Sequence, residues 1–274
     1  MAQSRPKQSV SRLGIARTSH PHALGRPGGV RERRETVILN QPDISSGGGL
    51  LATGRVLSRQ DYPGGYTLLR LGLSQVAACQ PGHALSLNGV LWPILQRAPK
   101  QGWVDCLRRD APCPVPGTEI VICGPCGEPF DLLAATPRAL LADNDGLAEI
   151  VFLARTLRDR HPRVKPFALF ELTPPLPFRP QPSKMVVAGL PAGVIGALPL
   201  LEDWAIPSRI ACPTDEQPGC LTGTATDLVN AWLDICQGAA DVTLFACGHQ
   251  TLLTAVGALA ERYRLSWQIR PAQR

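Results

Sequence analysis

Ala139–Leu157, ALLADNDGLAEIVFLARTL, is the stretch that most restricts what this chain can fold into. Ala139–Ala142 suits a short buried strand, and Asp143–Gly146 is a polar turn. From about Leu147, apolar residues at Ile150, Leu153, Ala154 and Leu157 repeat at i, i+3, i+4 and i+7, the spacing of one helix face. A strand–turn–helix of this kind opens nucleotide-binding α/β units, whose turn presents free N–H groups to phosphate. Here the turn carries Asp143, Asn144 and Asp145, and Glu149 follows. Like charges ~4 Å apart at an effective dielectric of ~20 repel by up to about 4 kcal/mol, so an acidic turn disfavours a dinucleotide phosphate unless a cation intervenes. The alternative is helix capping, in which an Asp or Asn oxygen satisfies the first free N–H groups.

The two sides of this junction differ. Before it, extended runs are expected at Gly54–Gln60, Tyr66–Leu73, Ala84–Leu87, Leu91–Gln96, Gly102–Arg109 and Gly117–Cys123. Turn signals such as Asp61–Gly65 separate them, which argues a six-stranded antiparallel barrel. After it, strands are expected at Phe167–Leu172, Lys184–Ala188, Ser208–Cys212, Asp241–Ala246 and Leu265–Ile269. Helices are expected at Gly193–Trp204, Thr226–Cys236 and His249–Tyr263, so this half reads as a parallel sheet covered on both faces. The Pro-rich run Pro174–Pro182 reads as an irregular or polyproline-like loop. The expected organisation is a disordered basic tail (1–50), a β-barrel domain (51–136) and an α/β domain (137–274).

Charge narrows the partner classes. Net charge is +6, and residues 1–35 alone hold eight basic and two acidic side chains. The remaining 20 basic and 20 acidic residues cancel, so a nucleic-acid footprint on the folded body is not supported. The tail reads as solvated, or as a transit peptide or an arm for an anionic partner. No apolar run is long enough for a membrane span, and no secretory signal is evident. Nine scattered cysteines then suit reduced thiols in a cytoplasmic protein.

Four stretches, in order, resemble the ferredoxin–NADP reductase superfamily, and within it the electron-transfer subunit of type B dihydroorotate dehydrogenase. Val121–Phe130, VICGPCGEPF, resembles the Gly-Pro-x-Gly-x-x-Phe loop at the end of the barrel. Leu140–Ala148 aligns with the Gly-rich strand–loop–helix of the nicotinamide domain. Thr214–Asp227 resembles a Thr-Asp-rich segment that leads into a helix. Ala246–Leu253, ACGHQTLL, resembles the Cys-Gly motif near the C-terminus. The resemblance implies FAD on the barrel, NAD or NADP on the α/β domain, and electron transfer to a catalytic or electron-accepting partner subunit.

It also implies candidate site residues. The flavin strand would be Trp92-Pro93-Ile94-Leu95, where Pro93 fits while the family's Arg and Ser are absent; Arg97 lies several residues on. Trp92 offers a flat face for a flavin or adenine ring, or else belongs to the barrel core. Gly124 and Gly127 would lie over the flavin pyrophosphate. Gly146 is the glycine retained in the dinucleotide loop. Thr214, Asp215 and Glu216 follow a strand end where ribose hydroxyls bind, or form a solvated loop. Cys247 and Gly248 would approach the nicotinamide and flavin ring, with the Cys247 thiol acidified by a helix start. Cys123-Gly124-Pro125-Cys126 also spells a thioredoxin-type motif, which needs a helix beginning at the first Cys. Nothing after Cys247 is Cys, so the four-Cys iron–sulfur segment of the dihydroorotate-type subunits is not expected. The competing reading is a non-catalytic relative, an interaction or regulatory subunit on the same scaffold.

Overall fold

The computed structural model describes residues 50–132, 137–163, 166–215, 217–235 and 242–273. The basic tail, the Ser45–Gly49 linker and Glu216 lie outside the described residues.

The turn-punctuated first half forms β1 (Leu50–Tyr62), β2 (Tyr66–Gly72), β3 (Ala84–Leu87), β4 (Val90–Ala98), β5 (Trp103–Arg109) and β6 (Glu119–Cys126). They close into an antiparallel barrel in the order β1-β2-β5-β4-β3-β6. Alternation sends Leu69 and Leu71, Trp92 and Ile94, Val104 and Cys106, and Ile120 and Ile122 inward to one core. Gly64 and Gly65, at φ +74° and +76°, make the turn between β1 and β2. On the outer face Arg70 donates to Asp105 at 2.7 and 2.8 Å, and Gln96 donates to the same carboxylate at 2.8 Å.

The second half supplies β7 (Arg138–Ala142), α1 (Leu147–Arg160), β8 (Phe167–Glu171), β9 (Gln181–Pro182), β10 (Gly196–Ala197) and α2 (Pro199–Asp203). It continues with β11 (Ser208–Cys212), β12 (Leu221–Thr222), α3 (Ala225–Ile235), β13 (Thr243–Gly248), α4 (Gln250–Tyr263) and β14 (Ser266–Pro271). A six-stranded sheet runs β12-β11-β8-β7-β13-β14, every pair parallel. Its central strands β11, β8, β7 and β13 are almost wholly buried because helices cover both faces.

Helix α1 differs from the one-faced helix that its spacing predicts. Leu147 to Ala154 are all buried, Glu149 included. The reason is that α1 lies between the two layers. Ile150, Leu153, Ala154 and Leu157 pack on the sheet, while Phe152 points into the barrel cluster. Barrel and sheet therefore belong to one compact unit.

Two expected elements are absent. Lys184–Ala188 is not a strand: its carbonyls bond side chains instead. Met185 O accepts from Arg209 Nη2 at 2.8 Å and from Ser183 Oγ at 3.2 Å, and Val186 stands 97% exposed. Gly193–Trp204 is not one helix. Gly196–Ala197 pairs antiparallel with Gln181–Pro182, inside the end of the Pro-rich run. Helix begins only at Pro199, where a missing N–H has no cost. The strand expected at Asp241–Ala246 begins two residues later, at Thr243, and extends to Gly248.

Candidate functional site: the cleft above helix α1

The chain moves from β7 outward through β8 and β11 to β12, then returns to the other side of β7 as β13 and β14. The adjoining ends of β7 and β13 are thus a topological switch point, the place where open α/β sheets leave a crevice. Asp143 follows β7. Cys247 and Gly248 end β13, and His249 caps α4. Asp143 Oδ1 accepts from the backbone N–H of Asp145 at 3.0 Å and of Gly146 at 3.2 Å. Its Oδ2 accepts from the backbone N–H of His249 at 2.5 Å. The carboxylate thus satisfies N–H groups of its own turn and of the α1 N-cap residue Gly146, and the same carboxylate serves the N-cap residue of α4, whereas neither N-cap side chain itself caps its helix. Asn144 fixes the turn from the other side, accepting at Oδ1 from Thr173 N at 3.0 Å. Its carbonyl accepts the Tyr66 phenol at 3.2 Å.

Gly146, Cys247 and Gly248 do come together here. A Cβ on Gly146 would lie 1.9 Å from the Cys247 carbonyl oxygen. Gly146 therefore permits the start of α1 to approach the end of β13, where the sequence suggested a phosphate. Cys247 is enclosed, at 1% exposure, and burial pushes its thiol well up, with the charges of Glu149 and Asp143 adding to the effect. This is opposite to the acidification expected of a thiol at a helix start, because desolvation outweighs the α4 terminus. Glu149 is also fully buried. Burial raises its carboxyl to about 7, with Asp143 and Asp145 contributing in the same direction against backbone N–H bonds. One of those donors is Gln273 N, 3.4 Å from Oε1.

Between this turn and the barrel lies a cleft of about 320 Å³. Tyr66, Pro93, Arg108 and Arg109 line its barrel side; Asn144, Asp145 and Gln273 line the other. A second, more apolar lobe of about 300 Å³ adjoins it across Leu107 and Leu147, between Leu95, Phe178 and Leu200. Arg108 donates through Nη1 to the Leu91 carbonyl, and its buried Nε has no partner among the described residues. Burial lowers the Arg108 pKa, and Asp145 opposes that shift. Arg109 pairs with Asp110 at 3.3 Å, and its guanidinium lies 5.9 Å from the Tyr66 ring.

Of the residues expected to hold cofactor, Pro93 alone lines this cleft. Trp92 is 0% exposed in the barrel core and presents no face to a ligand, so the core reading is the one that stands. Arg97 reaches the Ala77 and Cys79 carbonyls and the Phe152 ring, on a different side of the barrel. Gly124 faces Leu85 of β3, and Gly127 faces Gln273, a cleft residue. Thr214 and Asp215 are exposed beyond β11 and do not line the cleft. Cys123 and Cys126 lie on β6, with Cys126 Sγ donating to the Cys123 carbonyl at 3.6 Å. No helix starts there, so the thioredoxin-type reading fails on its own requirement. Among the described residues no group of His, Cys, Asp and Glu is arranged to hold a metal ion. No described helix is long and apolar enough to cross a membrane.

Sequence reasoning missed Tyr66, Arg108, Arg109 and Glu149. A signal existed for the arginines: a pair at the end of a strand in a neutral body. That β5 pairs with β2, setting Arg109 opposite Tyr66, is visible only once the barrel closes.

No protein-family model matches the chain, and no curated protein matches it. Solved structures do. The ferredoxin reductase in carbazole 1,9a-dioxygenase matches with TM-score 0.62 and 13% identity, over 82% of this chain and 69% of that one. The CS-b5R domains of human Ncb5or, in the NAD+ form, match with TM-score 0.60 and 15% identity over 84% and 71%. The ferredoxin–NADP+ reductase of Plasmodium falciparum matches with TM-score 0.57 and 9% identity over 80% and 95%. The chain has the ferredoxin reductase-like fold.

The resemblance read from the sequence implies a flavin and a dinucleotide, against which the residues of the cleft can be set. The lining of the cleft between barrel and α1 suits a flavin. It has an aromatic ring, an apolar lobe, two guanidiniums and one buried, unpartnered Arg108 Nε. Arg108 bonds the backbone of Leu91, next to Trp92, so its charge lies beside the strand position that carries Arg in the resembled family. The switch-point crevice does not suit a dinucleotide pyrophosphate as it stands, because Asp143 already bonds the N–H groups that would bind one.

Proposed function

We propose that this chain is a flavin-dependent electron-transfer subunit, with FAD in the cleft between barrel and α1 and a partner protein as electron acceptor. The observation that carries this reading is the placing of Tyr66, Arg108 and Arg109 on one cleft wall. A flavin dinucleotide combines a flat ring system with a pyrophosphate, and the wall combines an aromatic ring with two cations. The flavin supplies the redox chemistry when bound; the residues position it and exclude water. Arg108 would neutralise phosphate charge, and Tyr66, held by the Asn144 carbonyl, would fix the edge of the ring pocket. The finer resemblance, to the electron-transfer subunit of type B dihydroorotate dehydrogenase, belongs to the same proposal. A cytoplasmic setting does too.

The test is direct. Purified protein is titrated with FAD while flavin fluorescence and the visible bands are followed. Stoichiometric uptake is expected, weakened about tenfold or more by Arg108→Ala, the loss of one charge-assisted contact. A folded, colourless protein that takes up no FAD sinks the reading. The second reading, a non-catalytic interaction subunit, is favoured by one feature. Trp92 and Leu95 stand where the resembled family carries its Arg and its hydroxyl, and both are buried. It predicts that same colourless result.

A further inference from the structure

Three backbone N–H groups converge on one point at the switch between β7 and β13. Two come from the turn entering α1, at Asp145 and Gly146, and one from the N-cap of α4, at His249. Donors from two helix starts aimed at a single position form an anion site. The anion there is the chain's own Asp143. Its side chain is also packed in place: a Cβ on Gly248 would lie 2.6 Å from the carboxylate carbon and both its oxygens.

The turn that carries Asp143 is held independently of that carboxylate. Asn144 bonds Thr173 N through its side chain and the Tyr66 phenol through its carbonyl. Rotation of the Asp143 side chain alone would therefore expose the three N–H groups without moving the backbone that presents them. The N-cap residue His249 is exposed and Asp143 is half-buried, so the carboxylate lies at the edge of the crevice.

We infer that the Asp143 carboxylate is an internal competitor for the pyrophosphate of a nicotinamide dinucleotide, bound at the shared start of α1 and α4, so that a dinucleotide enters this crevice only by displacing it. The inference deepens the reductase reading of the cleft and rests on it for the ligand class. It also accounts for the two small residues flanking the position. Gly146 gives room to the Cys247 carbonyl, and Gly248 gives room to Asp143, so neither is left open for phosphate.

The experiment measures binding of NADH and NADPH by nicotinamide fluorescence, and of ADP-ribose by calorimetry. It compares wild type, Asp143→Ser and Asp143→Asn, each checked for folding by its thermal transition. The serine variant removes the charge and vacates the position. Binding at least about tenfold tighter than wild type is expected, the effect of one displaced charged hydrogen-bond acceptor. The asparagine variant keeps an oxygen for the N–H groups while losing the charge, so it guards against a misfolded serine variant; its affinity should fall between the other two. Affinities within twofold of wild type in the folded variants overturn the inference, as does the absence of binding to all three proteins. Uptake of FAD, read by absorbance on the same samples, reports separately on the reductase reading.

Discussion

Gly248 and Asp143 meet so closely that the glycine has no room for a side chain: a Cβ would stand 2.6 Å from the carboxylate. Gly248→Ala should push that carboxylate off the His249 N–H. The cost is about 1–3 kcal/mol, that of a charged acceptor lost from two helix starts. In an Asp143→Gly background the same alanine should cost much less. Denaturant unfolding of the four proteins gives the coupling; simple additivity would refute the contact.

Gly146→Ala should behave differently. Its Cβ would meet the Cys247 carbonyl oxygen at 1.9 Å, and backbone cannot rotate away as a carboxylate can. Expected is a loss of about 3 kcal/mol or more, or failure to accumulate folded protein. No second-site change at Asp143 should rescue it, which urea melts of the double variant would check.

Glu149 supplies a pH signature. Burial holds its carboxyl at about 7, above the ordinary value of 4.5. The folded state therefore holds a proton that the unfolded chain releases, and stability falls as pH rises from about 4.5 to 7, then levels. The whole step is on the order of 3 kcal/mol. Glu149→Gln should flatten this part of the stability–pH curve and be the more stable protein at pH 8. A curve that keeps its slope in the variant would show that another group is responsible.

Trp92→Phe separates core from site. The indole is fully buried among Ile94, Val104 and other barrel residues. Shrinking it should lower stability by about 1–3 kcal/mol through a cavity. FAD affinity per folded molecule should not change. Affinity measured by fluorescence at a temperature where both proteins are folded decides this.

Much of the fold was legible because it rests on periodicity and punctuation. Closely spaced turn residues mark the six barrel strands, and an apolar repeat after a buried strand marks α1. What failed did so for tertiary reasons. Lys184–Ala188 has strand-like residues, yet Arg209 captures its carbonyl, and no spacing encodes that. Glu149 stands in the sequence only as the acid that follows the turn, and nothing in the spacing shows its burial, which arises because α1 lies between two layers. The site was less legible still. Arg97 was the nearest cation along the strand, whereas Arg108 is the nearest across it, and sequence distance does not report strand pairing.

The Asp143 bonds also set a threshold on how this crevice can change. Any substitution that clears it forfeits the two helix starts before a ligand is present to replace what was lost. With that loss near the upper end of about 1–3 kcal/mol, a bound anion restores the original stability only near 100 times its dissociation constant, where binding contributes about 2.7 kcal/mol. Below that concentration the closed arrangement is the fitter one on stability alone. The crevice is thus held in its present form by an energetic ratchet: single steps toward an open phosphate site are downhill in affinity but uphill in folding.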